Sequence, residues 1–152
     1  MYLPTPIIIY DMETIAKTTK RVIFALITLT LLVSCTKEDD IEDIFVERNW
    51  SLTRIVERTL TSYNNGKKYS IEFFETTFEA RMPNGSTIHG NWSADGSTRE
   101  FKCSNMRTSG NISGDSIARK IERILTGARK YSGDSHWLKI MEQENIYLMF
   151  GN

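Results

Sequence analysis

The chain has 152 residues, with 19 Lys and Arg, 19 Asp and Glu, and a formal net charge of zero. Cleavage before Cys35, which a motif near the amino terminus indicates, would leave 118 residues, which suits a single folded domain and leaves no room for two. A neutral balance gives no electrostatic reason to bind nucleic acid and no polybasic contact with an anionic membrane. Functions that need a strongly basic surface are therefore excluded.

An apolar run near the amino terminus is the first feature along the chain. Residues 22–33 carry no charge and follow the basic pair Lys20-Arg21. Twelve helical residues span about 18 Å, which is short of the roughly 30 Å hydrocarbon core of a bilayer. The run is therefore typical of a signal peptide and not of a membrane-spanning helix.

The apolar run ends in Leu32-Val33-Ser34-Cys35, which has the pattern of a lipobox. An apolar residue three places before a cysteine, with a small residue directly before it, is what a lipoprotein signal peptidase requires. We expect cleavage between Ser34 and Cys35, and lipid attached to Cys35. Residues 1–34 are then the signal peptide, and Met12 is an alternative start.

A charged segment follows the cysteine and consists of Lys37, Glu38, Asp39 and Asp40. It resembles the acidic export signal that directs lipoproteins of Bacteroidota to the outer face of the outer membrane. The alternative is a solvated linker, because charged segments stay extended. We expect a lipid-anchored outer-membrane protein, with surface exposure favoured over a periplasm-facing position.

One cysteine remains unassigned if Cys35 carries lipid, so no disulfide can form within the chain. In the segment around Cys103, period-two alternation places Phe101 and Cys103 on one strand face. A lone thiol in an oxidising compartment is best tolerated when buried, which predicts a core position. The alternative, a reactive thiol, needs a base or a positive field, and no histidine is near in sequence.

The segments after the acidic residues predict one short helix and then strands. Ile41, Ile44 and Phe45 recur at helical spacing, so residues 35–48 comprise the lipidated cysteine, an acidic linker and a short helix. Short segments rich in β-branched and aromatic residues then predict strands over 50–58, 69–74, 77–81, 87–92 and 98–104. Asn65-Gly66, Asn84-Gly85 and Asp95-Gly96 separate neighbouring strands and supply the positive φ of tight antiparallel hairpins.

A helix over about residues 115–128 is the next predicted element, after a flexible loop over 104–113. Asp115 or Ser116 can cap it. Its apolar stripe comprises Ile117, Ile121, Ile124, Leu125 and Ala128, and its solvated face comprises Arg119, Lys120, Glu122 and Arg123.

Strands over 137–141 and 146–150 end the pattern. The order predicts an α+β, mainly β domain over 49–152. We expect a curled antiparallel sheet or barrel of about seven strands, with one amphipathic helix inserted before the last two.

The order of these motifs resembles the META-domain family of small envelope proteins. The resemblance rests on Trp50-Ser-Leu52, on residues 101–108, on the capped helix, and on the final pair of strands. The Gly-Cys-Asn element common in META domains is missing, and Gly90-Asn91-Trp92 stands near its place. The opening Trp-x-Leu, residues 69–74 and Gly-x-Trp equally resemble lipocalin-like small lipoproteins of Bacteroidota. Either resemblance implies a β-rich domain decorated with a helix, and neither implies a catalytic mechanism.

The residue types that carry chemistry form no catalytic or metal-binding pattern. His89 and His136 have no metal-like spacing to Cys, Asp or Glu, and zinc sites need three or four converging ligands. Three pairs of acidic residues are closely spaced: Glu72 with Glu75, Glu38 with Asp40, and Glu142 with Glu144. Glycosidases use paired carboxylates, but we interpret these pairs as parts of solvated turns and tails. Asp115-Ser116-Ile117 matches a short O-glycosylation pattern of Bacteroidota, which makes Ser116 a weak candidate site. We expect no cofactor, no metal and no catalytic residue.

Two classes of function are consistent with these observations. The first is a non-catalytic binding or interaction module whose partner is a protein, a glycan or a small apolar ligand held in a lipocalin-like barrel. The aromatic residues in or beside strands support it, although large aromatics in a small domain are usually core; they are Trp50, Trp92, Trp137, Tyr63, Tyr69 and Tyr131. The second is an envelope hydrolase, for which the sequence shows no constellation of residues.

Overall fold

The computed structural model describes residues 41–63 and 68–152. Their elements in chain order are α1 (Ile41–Phe45), β1 (Asn49–Glu57), β2 (Leu60–Tyr63), β3 (Ser70–Phe73), β4 (Thr77–Arg81), β5 (Thr87–Ala94), β6 (Phe101–Ser109), α2 (Ser116–Thr126), β7 (Lys130–Gly133), β8 (Trp137–Gln143) and β9 (Ile146–Gly151). No helix among them is long and apolar enough to cross a membrane. The lipobox, the acidic export segment and the Asn65-Gly66 turn lie outside the described residues.

All strands belong to one antiparallel sheet in the order β6-β5-β4-β3-β1-β9-β8-β7, with β2 paired to β1. The sheet curls until its two outer strands meet at one end. There the Phe101 amide donates to the Arg129 carbonyl at 2.9 Å, and the Tyr131 amide donates to the Arg99 carbonyl at 3.0 Å. The predicted curled antiparallel sheet with a helix inserted late in the chain is confirmed.

Strand number and the length of β6 differ from the sequence prediction. The described residues contain nine strands, and three of them follow α2. The sequences of β2 and β7, LTSY and KYSG, do not alternate clearly between apolar and polar residues, so only their pairing with β1 and β8 defines them as strands. The predicted loop over 104–113 is wrong, because β6 continues to Ser109 and pairs with Thr87 of β5. The Ser and Asn residues of this segment favour turns, but the backbone of β5 provides hydrogen-bond partners that keep the segment extended.

Two predicted hairpins are confirmed, although one uses a different turn. Gly85 has φ 82 between β4 and β5, as the Asn-Gly pair predicts. Between β5 and β6, the residue with positive φ is Arg99, at 59, and not Gly96. The Asp95 carboxylate builds this turn by accepting from the Ser97 amide at 2.8 Å and the Thr98 amide at 3.0 Å.

The interior of the curled sheet is filled by a cluster of aromatic rings centred on Phe45 of α1. This side chain has no solvent exposure. Its ring centroid lies 4.7 Å from that of Trp92, 5.0 Å from those of Phe73 and Tyr131, and 5.5 Å from that of Phe101. The predicted short helix is therefore confirmed, and it inserts into the sheet.

The end of the sheet that receives α1 also carries three turns. The Glu47 amide donates to the Phe73 carbonyl at 3.2 Å, beside the β3–β4 turn. Arg48 Nη1 donates to the Ser135 carbonyl at 3.0 Å, in the β7–β8 turn. The β5–β6 turn joins the same end, because Phe101 packs on Phe45. We call α1 with these three turns the α1 end.

The opposite end is crossed by α2, whose first turn is held by Asp115. The Asp115 carboxylate accepts from the Ile117 and Ala118 amides, both at 3.0 Å, as the cap prediction requires. The helix buries its apolar stripe against the sheet with Ala118, Ile121, Ile124 and Leu125. Ile117 is half-buried, and Ala128 is buried beyond the end of the helix.

Two basic residues of the predicted solvated face of α2 form ion pairs with acids of the sheet. Lys120 Nζ lies 2.7 Å from Glu57 Oε2, and Arg123 Nη2 lies 2.6 Å from Glu57 Oε1. Arg123 Nη1 also lies 2.8 Å from Glu142 Oε2. Glu57 at the end of β1 and Glu142 in β8 both lie beside the helix, so acids distant in sequence pair with its cations.

Candidate functional site

The outer face of β4, β5 and β6 carries a groove with a row of charged side chains. Cross-strand register places Glu79 opposite His89, and His89 opposite Arg107. These side chains point outward because they alternate with buried neighbours such as Phe78 and Ile88. The groove is an open depression of about 710 Å³.

A β-bulge shapes the floor of this groove. Between the pairs His89–Arg107 and Asn91–Ser104, β5 has one residue and β6 has two, and Asn105 in the bulge has φ 51. Bulges bend the strand that contains them, and a non-glycine residue in the left-handed region is often found at functional sites. The bulge therefore explains why this part of the sheet is concave.

Gly90 lies opposite the bulge and leaves no room for a side chain. A Cβ atom at this position would lie 2.8 Å from Phe78 Cε1 and 2.9 Å from the Ser104 carbonyl oxygen. The absence of a side chain at Gly90 therefore lets β5 lie directly against the Phe78 ring and the β6 backbone.

Charges at one side of the groove are paired. Glu79 lies 2.6 Å from Arg81 Nε and 3.3 Å from His89 Nδ1. His89 Nε2 lies 2.7 Å from Thr87 Oγ1. Arg81 Nη1 also contacts Glu72 at 2.8 Å, and this hydrogen bond is the largest cause that raises the pKa of Arg81. The imidazole is therefore held on both ring nitrogens, which fixes its plane.

The other side of the groove presents solvent-exposed polar side chains that have no partner in the described part of the protein. Within the described ranges, the side chains of Arg107, Asn91 and Asn105 have no hydrogen-bond or ion-pair partner. Phe74 lines the end of the groove beside the β3–β4 turn and is 42% exposed. An exposed guanidinium, two amides and an aromatic ring can together contact a ligand that has polar groups and one apolar face.

The two histidines lie in different places. His89 is in the groove, whereas His136 is exposed in the β7–β8 turn, where its amide donates to Asp134 Oδ1 at 2.7 Å. No group of three His, Cys, Asp or Glu side chains in the described part of the chain could hold a metal ion. Ser116, the weak candidate for O-glycosylation, is exposed as the first residue of α2.

Cys103 is half-buried and packs against the core, so its predicted core position is only partly correct. Burial raises the pKa of the Cys103 thiol to about 12. A thiolate is therefore strongly disfavoured at neutral pH, and the nucleophilic alternative has no support from this environment.

The described acidic pairs do not form a catalytic dyad. Glu72 is paired with Arg81 on the sheet face, whereas Glu75 is exposed in the β3–β4 turn. Glu142 is paired with Arg123, whereas Glu144 is exposed in the β8–β9 turn. Glu38 and Asp40 lie outside the described residues.

The predicted strand over 87–92 contains His89, but the sequence does not predict the groove. Asn105 and Arg107 fall in the predicted loop over 104–113, so their alignment with β5 follows only from the structure. The sequence does indicate that β4 has a polar face, because Thr77, Glu79 and Arg81 alternate with apolar residues, and β5 shows the same alternation.

Comparisons with known proteins give a family and a fold. The model of the family DUF4847, a domain of unknown function, matches residues 36–152. A crystal structure of a DUF4847 family protein from Bacteroides vulgatus ATCC 8482 is similar with a TM-score of 0.57 and 22% identity, covering 73% of this chain and 96% of that chain. No curated protein matches. The META and lipocalin resemblances stay predictions.

Proposed function

This chain belongs to the DUF4847 family, and we propose that it is a lipid-anchored, non-catalytic binding protein of the bacterial outer membrane. Its binding surface in this proposal is the groove on β4, β5 and β6. The bulge at Asn105 is the observation that carries the proposal, because it makes the sheet concave where Arg107 and two amides lack partners.

The proposed ligand is an envelope carbohydrate. Sugars offer hydroxyl groups to amides, carboxylates and guanidinium groups, and they offer a C–H face to an aromatic ring. The groove provides both, with Arg107, Asn91 and Asn105 along its floor and Phe74 at its end. The open shape suits a ligand that extends beyond the groove, as a polysaccharide chain does.

A lipocalin-like cavity for a small apolar ligand is less well supported. The rings of Phe45, Phe73, Trp92 and Phe101 occupy the space inside the curled sheet at centroid separations of 4.7 to 6.2 Å. A ligand there would have to displace α1. Binding on the outer face requires no such rearrangement.

Binding is tested with the mature chain in detergent against a panel of bacterial envelope polysaccharides, with affinity measured by native mass spectrometry or calorimetry. Arg107→Ala is expected to weaken binding by about tenfold, which corresponds to about 1.4 kcal/mol. The matched control is Arg119→Ala, which removes an exposed arginine of α2 and should leave the affinity within about twofold. Equal affinity of the parent and Arg107→Ala would place the ligand elsewhere.

The anchor is tested separately in cells. Cys35→Ala is expected to abolish acylation and move the protein out of the membrane fraction, because one diacyl thioether anchor would be lost. Cys103→Ala provides the control, since it removes the other cysteine and should retain acyl mass and fractionation. An unacylated parent would refute the lipoprotein proposal without bearing on the groove.

A further inference from the structure

We propose that the outer face of β1, β9 and β8 is a second binding surface, and that it binds an acidic peptide segment of another protein. This surface lies on the half of the sheet that does not carry the groove, and the proposal is independent of the groove and of lipid on Cys35. We call it the β9 face, and its outward side chains are Arg54, Val56, Trp137, Lys139, Met141, Tyr147 and Met149.

β9 is apolar on both of its sides. Ile146, Leu148 and Phe150 point inward and are buried. The alternate residues Tyr147 and Met149 point outward and are half-buried. A strand with one solvated side alternates apolar with polar residues, whereas a continuous apolar run is typical of a strand that is covered on both sides. β9 therefore has the sequence of a covered strand.

The strands on either side of β9 extend its apolar surface. Register places Val56 of β1 and Met141 of β8 on the two sides of Tyr147. Trp137 of β8 points outward as well, opposite Gly151. The outward residues of β4 and β5, on the groove half of the sheet, are all polar; they are Thr77, Glu79, Arg81, Thr87, His89, Asn91 and Ser93. One half of the sheet is therefore built for solvent, and the other half presents an apolar patch, which marks an interaction surface.

The charged side chains of the β9 face are both cations. Register places Met149 between Arg54 of β1 and Lys139 of β8, so one cation lies on each side of the apolar centre. Lys139 Nζ lies 4.1 Å from the centroid of the Tyr147 ring, which holds this cation over the patch. A partner at the centre of the patch would therefore meet both positive charges.

The acids of these strands do not neutralise the β9 face. Glu57 of β1 is paired with Lys120 and Arg123 of α2, and Glu142 of β8 is also paired with Arg123. Within the residues that the structure describes, neither cation of the β9 face has an ion-pair partner. The face is therefore complementary to a partner that carries carboxylates beside apolar side chains.

The residue types of the face favour a protein partner. Interfaces between proteins are enriched in Trp, Tyr, Met and Arg, and the β9 face contains all four types. Met and Val side chains offer a sugar no strong hydrogen bond, so a glycan fits this face less well than it fits the groove.

The size of the face favours a peptide segment over a second folded copy. From Trp137 to Met141 the face is about 17 Å long, and three strands make it about 15 Å wide, which gives roughly 250 Å². A standard interface between folded proteins needs about 800 Å² from each partner. Two copies packed through this face would also place like charges against each other.

A phage library of random peptides tests the proposal. The immobilised target is the chain from Cys35 to Asn152, made without lipid as Cys35→Ser, which contains every described residue. Selection is expected to enrich peptides that combine Asp or Glu with apolar residues. Calorimetry then measures the affinity of the most enriched peptide, made synthetically, for the parent and its variants.

Lys139→Glu and Met149→Gln are each expected to weaken binding of this peptide by at least about tenfold, because both residues lie at the centre of the face. Lys102→Glu is the matched control, since it reverses an outward lysine of β6 on the groove half and should leave the affinity within about twofold. Equal midpoints of urea unfolding verify that each variant keeps the fold.

Sedimentation velocity and flotation with phosphatidylglycerol vesicles examine the other occupants. A dimer that Met149→Gln dissociates would assign the face to a second copy, and vesicle binding that Lys139→Glu abolishes would assign it to a lipid surface; either result would overturn the proposal. It would also fail if no peptides were enriched, if the enriched peptides lacked acidic residues, or if Lys139→Glu bound them as tightly as the parent.

Discussion

Replacement of Asp115 by Ala tests the linkage between α2 and β3. The Asp115 carboxylate accepts two amides of α2 and also the Tyr69 hydroxyl, at 2.9 Å to Oδ2 and 3.1 Å to Oδ1. Loss of an N-cap costs about 0.5–2 kcal/mol. A partly buried hydroxyl left without its partner costs about 1–2 kcal/mol more. We therefore expect the free energy of unfolding to fall by about 2–3 kcal/mol.

Tyr69→Phe separates these two contributions in a double-mutant cycle. Alone it removes one hydrogen bond and should cost about 1 kcal/mol. In the Asp115→Ala background it should instead recover about 1–2 kcal/mol, because it removes a hydroxyl that has no partner left, so the coupling free energy is about 2–3 kcal/mol. Urea unfolding followed by tryptophan fluorescence gives all four stabilities, and Ser116→Ala controls for changes in helix propensity. Additive effects would refute the shared bond.

The same pair predicts an alkaline transition. The pKa of Tyr69 is raised to about 12, with burial as the largest cause and the hydrogen bond and negative charge of the Asp115 carboxylate as the others. Because the folded pKa exceeds the ordinary value of 10.0, the stabilisation is complete below pH 10 and is lost as the pH rises toward 12. In Asp115→Ala, the pKa of Tyr69 should be lower than in the parent but still above 10. Tyrosinate absorbance, with Tyr69→Phe as the reference, measures it.

Three further predictions concern an ion pair, a thiol and a glycine. The pKa of Glu57 is lowered chiefly by its hydrogen bond with Lys120, with burial opposing this effect and Arg123 adding to it. The stabilisation from Glu57 is therefore present above pH 4.5 and is lost as the pH falls further. Glu57→Gln should cost about 1 kcal/mol at pH 7, and urea titrations should show a weaker loss of stability at acid pH than in the parent. Cys103 should react with a thiol reagent far more slowly in the native chain than in urea, and equal rates would contradict its burial. Gly90→Ala should lower stability by about 1–3 kcal/mol through overpacking, whereas Gly114→Ala, with no atom within 4 Å, should be tolerated in a thermal melt.

Helices, strands and turns could be predicted from the sequence where their own residues define them. Ile121, Ile124 and Leu125 recur at helical spacing after an acidic cap, and α2 forms there. Thr77–Arg81 alternates strictly, and β4 has the predicted bounds. Asn84-Gly85 supplies its own positive φ, so the β4–β5 hairpin could be predicted as well.

Elements defined by a partner strand could not be predicted in this way. β7 has Ser and Gly in four residues, and it becomes a strand because Tyr131 is paired with Ile140 of β8. The second half of β6 consists of residues that favour turns, and β5 holds it extended. Propensity is weak in such segments, so tertiary pairing decides the outcome.

The sequence alone determined the order of apolar and polar residues, and with it the mainly β class, the late helix and the expectation of a lipid-bearing Cys35. Only the tertiary structure decided that Phe45 fills the centre of the sheet and that Glu79, His89 and Arg107 share one concave face. The physical reason is that alternation fixes which side of a strand a residue occupies, whereas register and bulges fix its neighbours. Register depends on contacts between segments far apart in the chain, and a local pattern does not contain them.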